Sequence, residues 1–398
     1  MTTIILMLSL WTSSYSEDTV DISVLSLLKP RELIVNCTSP GELKISTNDS
    51  KTDQSIQLNP GEAARIAFND NLLHLEINSE AGSFVAKNIV VIEVKGEESQ
   101  IELIAPNPFT RSFRGSLAFR PKSKGISIIL TAPLEQIVGE VTAAEMGTSG
   151  VNKQALMAQS VCVRSYLVSM RNRKPGFVFE DTTQSLLYRG RDGAFGTGGQ
   201  AHLRKGEEAA QATKGVVISY ASLVVPGYFH ACCGGNTATP KMAWKETYGE
   251  GAFATVKCGL CKSSPHYRWQ KRIAASELRK VFPVMSGQLT FSTKNHPGSG
   301  YIAQVEITSG ERKQIYEGDQ FRIRIGRALG WSTVRSNVFT VKRENGFISF
   351  DGYGFGHGVG FCQEGAIEAD RRGWGWRQIL RFYFPRCTLV YRESLSLR

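Results

Sequence analysis

The stretch LEQIVGEVTAAEMG, Leu134–Gly147, decides how the rest of the chain is read. Its apolar residues recur every three or four positions, the spacing of one helical face. Near its end an acid, Glu145, sits among Ala143, Ala144 and Met146. A carboxyl group in such company is either a solvated face residue or one tuned by its surroundings, because burial disfavours the charged form. A second amphipathic segment, KQALMAQSVCVRSYLVSMRNRK (Lys153–Lys174), repeats the helical spacing and is stopped by Lys174-Pro175-Gly176.

Upstream, GSLAFRPKSKGISIIL (Gly115–Leu130) reads as two strands joined by a polar, basic turn. From Glu17 to Phe109, alternating segments such as LHLEIN and NIVVIEV are separated by Asn, Asp, Gly and Pro clusters, the pattern of a small β-rich domain. APNPFT (Ala105–Thr110) reads as a linker. Downstream, GVVISY, IAQVEITS and FRIRIG read as strands, and EGAIEADRRGWGWRQILRFYF as two helices broken at Gly373. Helices and strands mix without regular alternation, which predicts an α+β fold. The expected organisation is a leader-like segment at 1–16, a β-rich domain at 17–110 and a core at 111–398.

With 398 residues, 41% hydrophobic and 21% charged, the chain is an ordinary globular one of two or three domains. Its net charge of +11 is unevenly spread. From Lys257 to Arg398 there are about 23 Lys and Arg against about 11 Asp and Glu, so this segment carries roughly the whole excess. A basic C-terminal third suits an anionic polymer: nucleic acid, an acidic wall glycan or a membrane surface. The basic residues form no compact run and no nucleic-acid motif, which argues against DNA or RNA. The opening MTTIILMLSLWTSSYSEDTV has the apolar core and small-residue region of a secretory signal, without a preceding Lys or Arg. Export is the expectation, and a buried first strand or helix is the alternative.

The glycine-rich turns GYFHACCGGNTATPKMAW and GFGHGVGFCQEG place His230 and His357 where a backbone can approach a ligand closely. Either histidine serves equally as a hydrogen-bonded structural residue. Cys233, with Cys258-Gly-Leu-Cys261, offers three thiols, and His230 or His266 a fourth ligand; this is half of a zinc signature. A disulfide among the same three cysteines is the competing reading in an oxidising compartment. Neither would be catalytic. Cys162 and Cys387 read as small buried hydrophobes. A Cys362 nucleophile paired with His357 lacks a third, orienting residue and is set aside.

Taken in order, LEQIVGEVTAAEM with ALMAQSVCVRSY, then GYFHACCGGNTATPKMAW, then GFGHGVGFCQEGAIEADRRGWGWRQILRFYFP resemble the stage II sporulation protein D family, which includes the LytB amidase enhancer. The resemblance covers roughly Gly125 to Val390. It implies an exported lytic transglycosylase of the periplasm or cell envelope, acting on peptidoglycan glycan strands stripped of stem peptides. Such an enzyme cuts between N-acetylmuramic acid and N-acetylglucosamine and leaves a 1,6-anhydro end. The family's catalytic carboxylate corresponds to Glu145, and the implied substrate contacts are Arg164, Tyr188, His230, Thr237, Trp244, His357 and Gln363. Arg164 reads equally as a buried ion-pair partner and Trp244 as core.

A glycoside hydrolase uses two carboxylates. A lytic transglycosylase needs one, which protonates the leaving oxygen and then takes the proton of the sugar's own 6-hydroxyl. No cofactor is required for catalysis, and any zinc would be structural. The alternative is a non-enzymatic enhancer that binds peptidoglycan and activates a cell-wall amidase. Membrane contact is expected only through an uncleaved N-terminal segment. Three residues depart from the family pattern: Met157 for Lys, Leu186 for Gln and Cys362 for Ser.

Overall fold

The computed structural model describes residues 18–395 apart from 39, 48–53, 80–81, 107–108, 147–150, 183–184, 192–198 and 284–287. The leader-like segment at 1–16 therefore lies outside the described residues. The chain divides into two compact units, residues 1–137 with 176–194 and residues 138–175 with 195–398. The division falls inside a helix, after Ile137.

The first unit is a ten-stranded sheet. Its strands are β1 (Thr19–Val24), β2 (Glu32–Cys37), β3 (Gly41–Thr47), β4 (Gln54–Leu58), β5 (Ala63–Asn69), β6 (Leu72–Ser79), β7 (Gly82–Ala105), β8 (Phe109–Lys122), β9 (Gly125–Pro133) and β10 (Val178–Glu180). Burial alternates strictly along β1 and β2, the period-two signature of a sheet with one covered face. β8 and β9 form the expected hairpin, closing at Lys122 opposite Gly125. The expected linker at Ala105–Thr110 is instead a reversal within the sheet, since Ala105 pairs with Phe109 and β7 with β8 along their length. Composition alone does not distinguish a reversal between paired strands from a linker. The segment 176–194 joins this unit because β10 runs parallel to β1 and the Asp181 carboxylate accepts the Leu25 and Ser26 amides at 2.6 and 3.1 Å.

Eight helices lie among the described residues: α1 (Leu134–Met146), α2 (Lys153–Arg173), α3 (Gly199–Ala212), α4 (Pro240–Trp244), α5 (Ala275–Val281), α6 (Gly318–Leu329), α7 (Gln363–Arg371) and α8 (Trp376–Tyr383). In the second unit, β12 (Leu223–Val224), β11 (Val216–Tyr220) and β21 (Thr388–Tyr391) form one small sheet, and β13 (Phe229–His230) pairs with β20 (Phe361–Cys362). Two further three-stranded sheets are β14 (Arg268–Ala274), β19 (Phe347–Tyr353) and β18 (Phe339–Glu344), and β15 (Thr290–Asn295), β16 (Ile302–Ser309) and β17 (Arg312–Glu317).

Both helices of the opening stretch form with the predicted bounds. α2, however, is buried nearly all round from Ala155 to Ser165 rather than amphipathic. It runs through a core that includes Val161, Ile218, Phe361, Ile379 and Phe384. The last two sheets and α6 share a separate core of Trp269, Phe282, Phe321, Phe339 and Phe350. α7 and α8 break where Gly373 takes φ +82°. FRIRIG is helical, contrary to the strand expected there. The four-residue spacing of buried Phe321 and Ile325 outweighs a two-residue alternation only five positions long, and Gly330 ends the helix.

One close contact is between α1 and α3. A Cβ at Gly206 would stand 2.4 Å from the Gly139 carbonyl oxygen and 2.8 Å from the Ala143 Cβ. Thr142 and Ser160 also share a buried hydroxyl hydrogen bond of 3.1 Å, tying α1 to α2. Gly206→Ala gains about 1 kcal/mol of helix propensity. Overpacking against rigid backbone costs about 1–3 kcal/mol, so the expected outcome is net destabilisation with loss of α1 order. Chemical denaturation of the variant checks this, and an unchanged or raised midpoint would refute the close crossing.

Candidate active site

The pairing of β13 with β20 is parallel and two residues long, with Phe229 opposite Phe361 and His230 opposite Cys362. It brings the two glycine–histidine blocks together from positions more than a hundred residues apart. A single peptide group, that of Val359, then fixes both imidazoles. His230 Nδ1 donates to the Val359 carbonyl at 3.1 Å, and the Val359 amide donates to His357 Nδ1 at 3.1 Å. The two rings therefore carry their protons on opposite nitrogens, Nδ1 in His230 and Nε2 in His357. Their centroids lie 5.5 Å apart, nearly edge to face.

Burial pushes His230 down to about 4, against the bond to Val359, which favours the protonated ring. His357 is held well below its usual range, first by burial and then by His230 and Arg322, with a bond to the Phe229 backbone acting the other way. Both are neutral at physiological pH. His357 is braced by backbone, whereas His230 Nε2 is buried with no hydrogen-bond partner among the described residues.

Half-buried aromatics flank this pair. His357 lies 4.8 Å from Trp244 and 6.4 Å from Tyr228, whose ring is 4.9 Å from Trp244 and 6.0 Å from Tyr166. Trp244 ends α4, which Pro240 starts and Thr239 caps. Tyr228 donates to Glu246 at 3.2 Å, and Glu246 in turn pairs with Arg173 at 2.7 Å. The Tyr301 hydroxyl donates to the His357 carbonyl at 3.0 Å. Tyr301 also lines a cleft of about 620 Å³ with Asn236, Thr237, Met242 and Lys257. That volume is in the range of small-ligand sites.

The remaining expected residues separate by what their side chains already hold. Glu145 is half-buried at the penultimate position of α1, in the same unit as both histidines. Arg164 is fully buried and donates to the Ala210 and Val216 carbonyls and to Thr213, at 3.0, 3.2 and 3.4 Å. It anchors α2 to the end of α3 and the start of β11, the buried supporting role that the sequence left open beside substrate contact. Thr237 is likewise a brace: its hydroxyl accepts the Val256 amide at 2.8 Å and donates to Ala254 at 3.4 Å. Tyr188 belongs to the first unit, buried with its ring 6.2 Å from Phe113. Gln363 opens α7, and its buried Nε2 has no partner among the described residues. Met157 and Leu186 are buried, each in its own unit.

Two features escape the sequence reading. Tyr228 precedes His230 by two residues, and both reach His357; that spacing within a strand-like piece was the available signal. Gln159 lies fully buried in α2 with both amide atoms unpartnered among the described residues. An amide inside a run of small core residues was the hint. Cys233, Cys258 and Cys261 converge as expected, but the fourth group is Cys362 and neither histidine. His230 is committed to Val359, and His266 packs on Phe355 at 5.4 Å.

Comparison with known proteins agrees with the resemblance. Residues 122–220 match the family model described as stage II sporulation protein. Stage II sporulation protein D of Bacillus subtilis is 24% identical over 317 residues, covering 77% of this chain and 86% of the relative. The same protein of Bacillus amyloliquefaciens is 26% identical over 273 residues, covering 66% and 75%. The amidase enhancer of Bacillus subtilis is 24% identical over 287 residues, covering 60% of this chain and 38% of the relative. With these relatives aligned along most of its length and the family domain spanning α1 and α2, the chain carries a stage II sporulation protein domain and is similar to stage II sporulation protein D and to the amidase enhancer.

Proposed function

We propose that this protein is an exported peptidoglycan lytic transglycosylase with Glu145 as its single general acid and base. One observation carries the reading: the segment matched by the family, residues 122–220, contains α1, which presents half-buried Glu145 at its C-terminal end. The acid gives its proton to the oxygen between N-acetylmuramic acid and N-acetylglucosamine as the C1–O bond breaks. The 6-hydroxyl oxygen of the same muramic sugar then closes on C1, and its proton returns to Glu145. No water is consumed, and the carboxyl group ends as it began, which is why one suffices.

Glycan strands present alternating apolar sugar faces and N-acetyl amides. The Trp244–Tyr228–His357 shelf suits the faces. The acceptor of His230 and the donor of Gln363, both without partners among the described residues, suit the amides. Arg164 and Thr237 act as supports for this surface. The setting would be the cell envelope, with peptide-stripped strands supplied by a wall amidase.

The amidase-enhancer relative favours a second reading, a non-enzymatic partner of such an amidase. The apolar replacements at Met157 and Leu186 lean the same way. Incubation of the pure protein with peptide-free glycan strands separates the two. Anhydro-muramic ends should appear by mass spectrometry and fall at least about 100-fold in Glu145→Gln, the scale of general acid catalysis, with thermal stability unchanged. Amidase stimulation that survives Glu145→Gln, without anhydro products from either protein, would instead establish the enhancer.

The neutral histidines predict an acid-sensitive fold. His230 titrates at about 4 when folded and near 6.5 when unfolded. Between these values the unfolded chain binds more protons, so the His230 contribution to stability falls as pH drops from about 6.5 to about 4 and changes no further below that. The loss from His230 is about 3 kcal/mol, and His357 adds in the same direction. Urea midpoints measured from about pH 7 to about pH 4.5 should decline less steeply in His230→Gln. Parallel profiles for the two proteins would show that His230 is not held neutral by the fold.

A further inference from the structure

We propose that Cys233, Cys258, Cys261 and Cys362 form a tetrathiolate site for one zinc ion. Their four sulfurs, all buried, lie within 4.8 Å of one another, and Cys233 and Cys261 are 3.5 Å apart. A tetrahedral zinc with bonds of about 2.3 Å places its sulfurs about 3.8 Å apart, so the cluster already has the size of a single-ion cage. An iron–sulfur cluster places several irons between its thiolates and needs a wider spacing.

Hydrogen-bond donors stand beside two of the four sulfurs. The Cys233 amide donates to Cys362 Sγ at 3.3 Å, and the Tyr383 hydroxyl lies 3.3 Å from Cys258 Sγ, positioned to donate. Cys362 is also the N-cap of α7, where helix amides favour negative charge. Donors around ligating sulfurs are what a metal–thiolate centre requires of its outer shell. Space has been kept for them. A Cβ at Gly365 would stand 2.1 Å from the Tyr383 oxygen, 3.1 Å from Cys258 Sγ and 3.4 Å from Cys362 Sγ.

The four ligands come from four places: the loop after β13, the strand-like turn ending at Cys258, the short 3₁₀ turn Leu260–Ser263, and the end of β20. One ion would therefore clamp the β13–β20 pairing that carries His230. This also accounts for Cys362 where the family resemblance calls for Ser: the substitution completes the ligand set.

Metal analysis of the full chain, purified without chelator, tests the site. The expected result is one zinc per chain, released in step with mercurial titration of four thiols and detected by a colorimetric chelator. Exchange with cobalt should give the intense visible absorption of a tetrahedral tetrathiolate centre. Cys362→Ser should lower zinc content at least about 5-fold. Should that variant fail to fold, the mercurial and cobalt readings on the native chain still decide. Metal-free protein with four alkylatable thiols overturns the proposal. So does a mass showing Cys233 joined to Cys261 by a disulfide, or stoichiometric iron in place of zinc.

Discussion

The parallel ladder between β13 and β20 is the constraint on which the second unit's chemistry depends. It is two residues long, too short to hold itself, since an isolated pair of short strands is at best marginally stable in water. The surroundings over-determine it instead. Two isolated bridges join the same segments outside the ladder, a parallel one from Ala238 to Val359 and an antiparallel one from Cys232 to Phe355. The Val359 peptide is spent on two imidazoles at once. Gly356 takes φ +107° with His230 beside it, where a Cβ would come within 2.9 Å. Chain separation makes such contacts entropically costly to assemble, and the polar anchors on each side fix their register.

How much of this was legible in the sequence depended on the range of the interaction. α1, α2, the β8–β9 hairpin and the Gly373 break were readable because periodicity and turn chemistry are local. FRIRIG was misread because its alternation is shorter than the helical context that overrides it. The boundary near Ala105 was misplaced because a turn and a linker share a composition, and the pairing of β7 with β8 is visible only in space. Among the thiols, Cys258 and Cys261 announce themselves by spacing. Cys362, roughly a hundred residues on, joins them only through the fold.

The motif residues themselves divide by a criterion that no sequence carries. Arg164 and Thr237 spend their donors and acceptors on named backbone groups of α3, β11 and the Ala254–Val256 loop. Charged or polar groups so engaged are supports, and their removal would be felt first in stability. His230 Nε2, Gln363 Nε2 and the amide of Gln159 are buried yet lack partners among the described residues. Each such group costs about 1–3 kcal/mol that an apolar side chain of similar shape would not. One belongs to each of the three sequence blocks that carry the family resemblance.

That distribution bears on why the blocks exist at all. A core selected for stability alone would satisfy or remove these groups, as it has done around Arg164. Keeping them incomplete is reasonable where a further partner, an ordered water or a sugar amide, completes the set. The neutral state enforced on His230 fits the same logic, because only an uncharged ring offers a lone pair at Nε2. Burial thus removes the charge, Val359 chooses the tautomer, and what remains is an acceptor of fixed direction in a largely dry wall. Such a group accepts a hydrogen bond rather than giving up a proton, and in the proposed mechanism proton transfer falls to a carboxyl group elsewhere, that of Glu145.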